Sequence, residues 1–339
     1  MGENHASFVL RRLEKKTHIN SCEFEQTFGD GRMRILGHIH TFNDEEVIQY
    51  SLQAILDQSH PLDEVLVVDN ASTDQTLQRP LLDKVTVARH YENRGTSGAV
   101  ITGFKYAIEK HYDWIWIFDA DSAPRKDALE KLLALYNTFS PEVQGQVWLL
   151  SCLHIEADKG MPRYQMMFTP RGIKPVQPVP DEACCEFDST IWSGSLYKLE
   201  AVQTVGLPSP DYVLDWGEHE YGYRGRRSGY RAFMHQGSLL DHNIGKVSGL
   251  QATSYKLGPL SVTMRELPPI RCYYLVRNLL YFWLYEYHAR NVSALLICSL
   301  RVGKLTASFF LRAATHWPEV SACLRGIRDG ILGKTARRF

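Results

Sequence analysis

The chain has 339 residues, 44% hydrophobic and 22% charged, with 38 Lys/Arg against 38 Asp/Glu and hence no formal net charge. These values fit one large globular domain or two smaller ones. They exclude wholesale disorder, a collagen-like repeat and a coiled coil, and they lack the basic footprint of a general nucleic-acid binder.

Residues 1–33 are polar, without steady periodicity, and read as an extension with at most a short helix. The start is similar to a myristoylation signal at Gly2, but Ala6 stands where that pattern wants Ser or Thr. No apolar core of signal-peptide length is present there. From Arg34 the pattern alternates. RILGHIHTF predicts a strand ending in the loop TFND, and Glu45–Gln58 a helix. EVLVVDN (64–70) is a continuous apolar run closing on Asp69, as in a buried parallel strand. VTVARHY (85–91) predicts a third strand, and NRGTSGAVITGFKYAIEK a Gly-containing loop entering a helix. WIWIFDAD (114–121) is a fourth strand, apolar until its carboxylates, and Ala123–Phe139 predicts a helix with Pro124 in its first turn. Strand–helix alternation at this spacing implies a mostly parallel, doubly wound α/β sheet, in which ligands bind beyond the carboxyl ends of the strands.

VWLLSCL (147–153) predicts another strand, and the Pro-rich stretch 154–186 a long loop. STIWSGSLYKLEAV reads as a strand entering a turn and helix, and DWGEHEYGYRGRRSGY as an acidic loop entering a short basic helix. YRAFMHQGSLLDHN returns as strand and loop, and from Arg271 the pattern is helical and amphipathic. This divides the chain into an extension (1–33), an α/β region (34–270, with halves 34–140 and 141–270) and a helical C-terminal region (271–339). The charge is divided too: residues 271–339 carry eleven Lys/Arg and three Asp/Glu, against 27 and 35 in residues 1–270.

The seven cysteines are irregularly spaced and form no CxxC pair, so neither a disulfide framework nor a zinc site is indicated, and a reducing, cytosolic setting is expected. The apolar runs Asn278–Tyr285, Asn291–Leu300 and Leu305–Leu311 are each too short to span a bilayer. Two readings of this basic, apolar region are open. It rests on an anionic membrane, or its apolar faces pack on the catalytic domain or a second subunit.

The candidate site lies at the predicted strand ends. Asp119-Ala120-Asp121 places two carboxylates one residue apart, a pair that can share a hard cation such as Mg²⁺ or Mn²⁺ and so neutralise a diphosphate; the alternative is a solvated turn. Asp69 can accept from a pyrimidine ring N–H, with Thr41 and Asn43 completing a base pocket, or it can cap the next helix. The amides of ENRGTSGA (92–99) can approach a ligand backbone, and Arg94 can contact phosphate or remain a surface charge. Within Glu218-His219-Glu220 a carboxylate can serve as general base, or the group can pair with Arg224, Arg226 and Arg227. His242 can ligate a metal through a ring nitrogen or be structural.

Together TFNDEE, VVDNASTD, ENRGTSGA, FDAD, WSGSLYKLEAVQTVGLP, DWGEHEYGYRGRRSGYR, LLDH and YYLVRN resemble, in order, the inverting family 2 glycosyltransferases with the GT-A fold. The similarity runs from about Arg34 to Gly333 and is strongest to the bacterial rhamnosyltransferase and galactofuranosyltransferase branch. By position it implies that Thr41, Asn43 and Asp69 hold the nucleobase and that Asn93, Arg94 and Gly95 line the nucleoside and diphosphate. Asp119 would meet the ribose or metal, and Asp121 and His242 the metal. Ser193, Gly194 and Trp216 would shape the acceptor side. Glu218 falls at the catalytic base, with Glu220 as the second acid. There are two departures: the base is Glu where the family often has Asp, and Gly217 replaces an acid that often precedes it. The resemblance implies transfer of a sugar from a nucleotide-diphosphate donor, of the UDP-galactofuranose or dTDP-rhamnose type, to a hydroxyl of a growing glycan, commonly linked to a polyprenyl diphosphate. A nucleotidyltransferase would want a Gly-rich, basic signature after the first strand, which TFNDEE lacks. A non-catalytic sugar- or nucleotide-binding protein would not need Asp119, Asp121, Glu218 and His242 together.

Overall fold

A computed structural model describes residues 32–80, 84–157, 160–169, 172–177, 182–244, 252–257, 260–265, 267–287 and 317–335. Four strands open the sheet: β1 (Ile35–Thr41), β2 (Glu64–Asp69), β3 (Thr86–Arg89) and β4 (Trp114–Asp119). Helix α1 (Ile48–Leu56) follows β1, and α2 (Gly95–Glu109) joins β3 to β4. The four strands pair in parallel in the order β3-β2-β1-β4. β4 shows why WIWIF is apolar throughout. Trp114, Trp116 and Phe118 enter the core on one face of the sheet, whereas Ile115 and Ile117 enter the core on the other. With both faces covered, every position from Trp114 to Phe118 is buried, and each such side chain contributes about 2 kcal/mol.

The expected helix over Ala123–Phe139 is shorter. Ser122–Pro124 forms a short strand, β5, and α3 begins at Ala128 and ends at Thr138. β5 pairs antiparallel with the far end of β12 (Arg231–His242), setting Ser122 opposite His242. Pro124 therefore closes a strand instead of opening a helix. It is tolerated because β5 pairs along one side and can spare an N–H.

Helix α4 (Pro141–Gln146) leads into β6 (Val147–Glu156), which lies parallel to β12. The region expected as a long loop contains four short strands: β7 (Met161–Arg163), β8 (Met166–Thr169), β9 (Gly172–Pro175) and β10 (Cys184–Phe187). β8 and β9 form a separate hairpin. Strands of three or four residues interrupted by prolines show no alternation long enough to read. β11 (Ser195–Lys198) is antiparallel to both β4 and β6 and joins the two halves of the sheet before α5 (Leu199–Val205). The acidic segment is already helical: α6 runs Gly217–Arg227, so Glu218 and Glu220 belong to its first turn. Gly225 lets α6 lie directly on β6, since a Cβ there would meet the Trp148 ring at 2.1 Å.

Beyond a backbone hairpin of β13 (Ala252–Leu257) and β14 (Leu260–Arg265), the C-terminal region gives α7 (Pro269–Tyr281), a π-helical turn over Phe282–Glu286, and α8 (Trp317–Ile331). Tyr273, Tyr274, Val276 and Leu279 of α7 share a core with Val320 and Cys323 of α8 and with Phe168, Ile173, Tyr212 and Val213. The two helices pack at close range where α8 has glycine; a Cβ on Gly326 would stand 2.7 Å from the Tyr273 carbonyl. Met33–Phe339 thus form one compact unit. The described part of the apolar C-terminal surface packs inward, while Trp317, Leu324, Ile331 and Leu332 stay exposed. Asn291–Leu300 and Leu305–Leu311 lie outside the described residues. Among the described residues, no helix is long and apolar enough to cross a membrane.

Candidate active site

The strand register assembles the site. Thr41 is opposite Asp69 across β1 and β2, and His40 is opposite Asp119 across β1 and β4. The β5–β12 pairing then delivers His242 from the other half of the sheet. One carboxylate oxygen each from Asp119 and Asp121 and one ring nitrogen of His242 lie within 4.8 Å of one another. Two ligands on opposite sides of a cation at about 2.1 Å would be about 4.2 Å apart, so side-chain shifts of under roughly one ångström close the set. Two carboxylates and an imidazole are suitable donors for Mg²⁺ or Mn²⁺.

The Asp-Ala-Asp turn is fixed from several sides. The Asp119 amide donates to Ser193 Oγ at 3.2 Å, and Ser51 Oγ on α1 donates to the Ala120 carbonyl at 2.6 Å. His154 Nε2 lies 2.7 Å from the Ser193 carbonyl, and burial pushes this imidazole down to about 3. It is therefore neutral at physiological pH, with the Nε2 proton donated to that carbonyl. His40 Nε2 lies 2.7 Å from Asp119 Oδ1, and His242 Nε2 lies 3.8 Å from Oδ2. Burial opposes ionisation of Asp119, but His242 and His40 outweigh it and hold the carboxyl well below its usual range. His242 Nδ1 lies 3.6 Å from Glu156 Oε2. Burial disfavours the imidazolium of His242, yet Asp119 and Glu156 raise it to about 9. In return His242 draws Glu156 down to about 2.

Glu218 differs. It is half-buried and has no ion-pair partner within 4 Å among the described pairs. Burial, aided by the charges of Asp215 and Asp119 and opposed by Arg163, raises its carboxyl to about 7. Glu220, two residues on, is buried and held by Arg224, with Nε–Oε1 at 2.6 Å and Nη2–Oε2 at 3.2 Å. Arg224 also donates to the carbonyls of Val205 and Leu207, so this pair ties α6 to the turn after α5. His219 Nδ1 meets Ser189 Oγ at 2.8 Å. Of the two carboxylates, Glu218 is the one that no described ion pair engages.

Thr41, Asn43 and Asp69 come together at the carboxyl ends of β1 and β2, each with a protein partner. Thr41 donates to Asp44, Asn43 Oδ1 accepts from the Thr73 amide at 2.8 Å, and buried Asp69 accepts from the Ser72 amide and pairs with Arg89 at 3.2 Å. Asn93 Oδ1 accepts from the Gly95 amide at 2.8 Å, and Arg94 is exposed at the head of α2. Gly95 has φ +70, and a Cβ there would stand 2.1 Å from the Val213 carbonyl. Gly194 also has positive φ and follows Ser193 behind the Asp119 turn. Trp216, whose ring packs against His219 and Phe282, caps the start of α6. The sequence reading did not single out His40, Glu156, Arg163, Asp215 or Arg271. His40 alone carried a readable signal, as the last inward polar residue before TFND.

Residues 38–148 match the sequence profile of glycosyl transferase family 2. The chain is 28% identical over 218 residues to the dTDP-rhamnosyl transferase RfbF of Shigella flexneri, covering 63% of this chain and 68% of that one. It is 24% identical over 213 residues to the galactofuranosyltransferase GlfT1 of Mycolicibacterium smegmatis, covering 56% of this chain and 64% of that one. In three dimensions it is similar to the mannosyltransferase PcManGT of Pyrobaculum calidifontis, solved with GDP-Man and Mn²⁺, with a TM-score of 0.52, 17% identity and coverage of 97% and 94% of the two chains. That likeness extends through both halves of the sheet and the C-terminal helices. Residues 38–148 are thus a glycosyl transferase family 2 domain, and the protein is a glycosyltransferase built on the GT-A fold.

Proposed function

We propose that the enzyme is a metal-dependent, inverting hexosyltransferase. It moves a sugar from a UDP-galactofuranose- or dTDP-rhamnose-type donor to a hydroxyl of a growing, lipid-linked cell-surface glycan. The observation that carries this reading is the convergence of Asp119, Asp121 and His242, with ligand atoms within 4.8 Å, on a sheet whose acceptor side presents Glu218. The names of the similar proteins support the donor type, and the family resemblance supports the lipid-linked acceptor.

Mg²⁺ or Mn²⁺ held by Asp121 and His242, with Asp119 alongside, would offset charge developing on the departing nucleoside diphosphate. The chain's own residues supply the rest. Thr41, Asn43 and Asp69 frame the nucleobase, and Asn93, Arg94 and Gly95 line the nucleoside and diphosphate. Glu218 accepts the proton of the attacking hydroxyl in a single displacement at the anomeric carbon. A base near 7 is matched to this task, because about half of it is ionised at neutral pH and it is still basic enough to take the proton. Glu220, through Arg224, holds the helix that carries it. Ser193 and Gly194 support the Asp119 turn from the acceptor side, where Trp216 offers a ring face. The exposed stripe of α8, in a region rich in Lys and Arg, supports peripheral attachment at the cytoplasmic face of a membrane.

The test is release of nucleoside diphosphate from a panel of UDP- and dTDP-sugars, with Mn²⁺, with Mg²⁺ and with EDTA. Release from one sugar class that needs the metal and rises with a lipid-linked glycan acceptor is expected. Equal release in EDTA, or release of pyrophosphate instead, would overturn the reading.

A further inference from the structure

The turn before Glu218 has an unusual backbone. Asp215 and Trp216, neither of them glycine, both lie in the left-handed region, at φ 54 and 70. Side chains disfavour that conformation, and it persists only where the surroundings over-determine it. Here the surroundings are α7. Asn278, wholly buried, donates Nδ2 to the carbonyls of Leu214 at 2.6 Å and Asp215 at 2.8 Å. Arg271 places its fork on the Asp215 carboxylate, with Nη2–Oδ1 at 3.1 Å and Nε–Oδ2 at 3.3 Å. Arg277 donates to the Asp211 carbonyl at 2.7 Å, at the start of the same turn.

We infer that α7 is the brace that aims the general base, and that Arg271 and Asn278 are positioning residues for Glu218. The inference rests on the reading of Glu218 as the base. Trp216 is the residue from which α6 starts, and Glu218 lies in the first turn of that helix. A turn that relaxes out of the left-handed region re-aims this first turn, and reactions of this kind lose rate steeply when a catalytic group moves by about 1 Å. Arg271 also has an electrostatic effect. The charges facing Glu218 are Asp215, Arg163, Asp119 and Arg271 itself, and Arg271 also covers Asp215. Without Arg271, the bare Asp215 carboxylate makes Glu218 harder to ionise.

The experiment compares R271Q, R271K, N278A and E218Q in the full chain, measuring kcat, donor KM and the pH dependence of kcat/KM. R271Q should lower kcat at least tenfold, leave donor KM within twofold, and move the acid limb of the profile to higher pH. R271K should return the limb towards its original position while recovering kcat only in part, because an ammonium restores the charge but not the fork. N278A should lower kcat similarly; should it fail to fold, the half-exposed Arg271 pair of variants still decides. R271Q with kcat within twofold and an unmoved limb overturns the brace. So does raised donor KM at unchanged kcat, which would make Arg271 a donor contact. Normal turnover by E218Q removes the base reading itself, whereas inactive E218Q beside normal R271Q overturns the brace alone.

Discussion

The cost of keeping Glu218 ready to accept a proton should be measurable as stability. Replace it with Gln, which has the same shape and no charge. An ordinary Glu ionises near 4.5 and this one near 7. At 1.36 kcal/mol for each tenfold change in proton affinity, the gap sets a ceiling of about 3 kcal/mol, and partial solvent access lowers the working value to about 2 kcal/mol. The sign follows from linkage. Below about pH 4.5 both the folded and unfolded carboxyl are protonated, and the substitution is nearly neutral. Between about pH 4.5 and 7 the unfolded chain loses its proton while the folded protein keeps it, so the wild type loses stability relative to the Gln variant. Above about pH 7 the full difference is present. E218Q should therefore be more stable by about 2 kcal/mol at pH 8, a rise in Tm of roughly 3 °C for a chain of this size, while transfer falls by about 10²-fold or more. The assay is denaturant and thermal unfolding at pH 4.5 and pH 8, in EDTA so that a cation near Asp119 does not relieve the same repulsion. A stability difference that is the same at both pH values, or a Gln variant less stable at pH 8, would refute the argument.

Asp121→Ala should abolish the Mn²⁺-dependent thermal stabilisation that the nucleotide-sugar donor gives the wild type. Stabilisation grows with ligand concentration over Kd, so an unchanged titration with and without EDTA would remove Asp121 from the metal set. Gly95→Ala should destabilise by about 2–4 kcal/mol in urea unfolding, because φ is +70 and the added carbon meets the Val213 carbonyl at 2.1 Å; a loss under about 0.5 kcal/mol would contradict that packing. Sedimentation with anionic vesicles should fall on raising salt and on replacing Trp317 and Leu324 by Ser, and binding indifferent to both changes would count against the α8 face.

The parallel half of the sheet was legible because β1, β2 and β4 are buried on both faces, and β2 and β4 end abruptly on Asp69 and Asp119, a signal carried by local sequence alone. Asp121 and His242 were legible from the residues only as separate candidates, and only the family resemblance joined them, because their meeting depends on β5, a three-residue strand too short to announce itself. Pro124 favoured the wrong element for the same reason: local propensity allows a first helical turn there, and pairing with β12 overrides it. Glu156 and Arg163 were not legible because they lie on strands read as loop. Arg271 and Asn278 lie on a helix that the pattern did reveal, 63 residues beyond the nearest carbonyl that Asn278 holds, and no periodicity reports a contact of that range.

The electrostatics of the site also divide its carboxylates into two classes. Asp119 and Glu156 are held low by histidines within 4 Å, so they stay charged across the whole physiological range; Asp119 alone of the two is in the candidate cation set, and His242, raised to about 9, would have to give up its proton to join it. Glu218 belongs to the same rim, at the positive end of a helix that would by itself favour the charged form. It is nevertheless raised to about 7, because it is desolvated and faces Asp215 and Asp119. Groups whose environments push their proton affinities apart take different chemical roles. That separation would distinguish the proposed base from the proposed ligands more sharply than residue type does. The burial and the neighbouring charges set the proton affinity, while the brace on Asp215 sets the aim of the longer side chain.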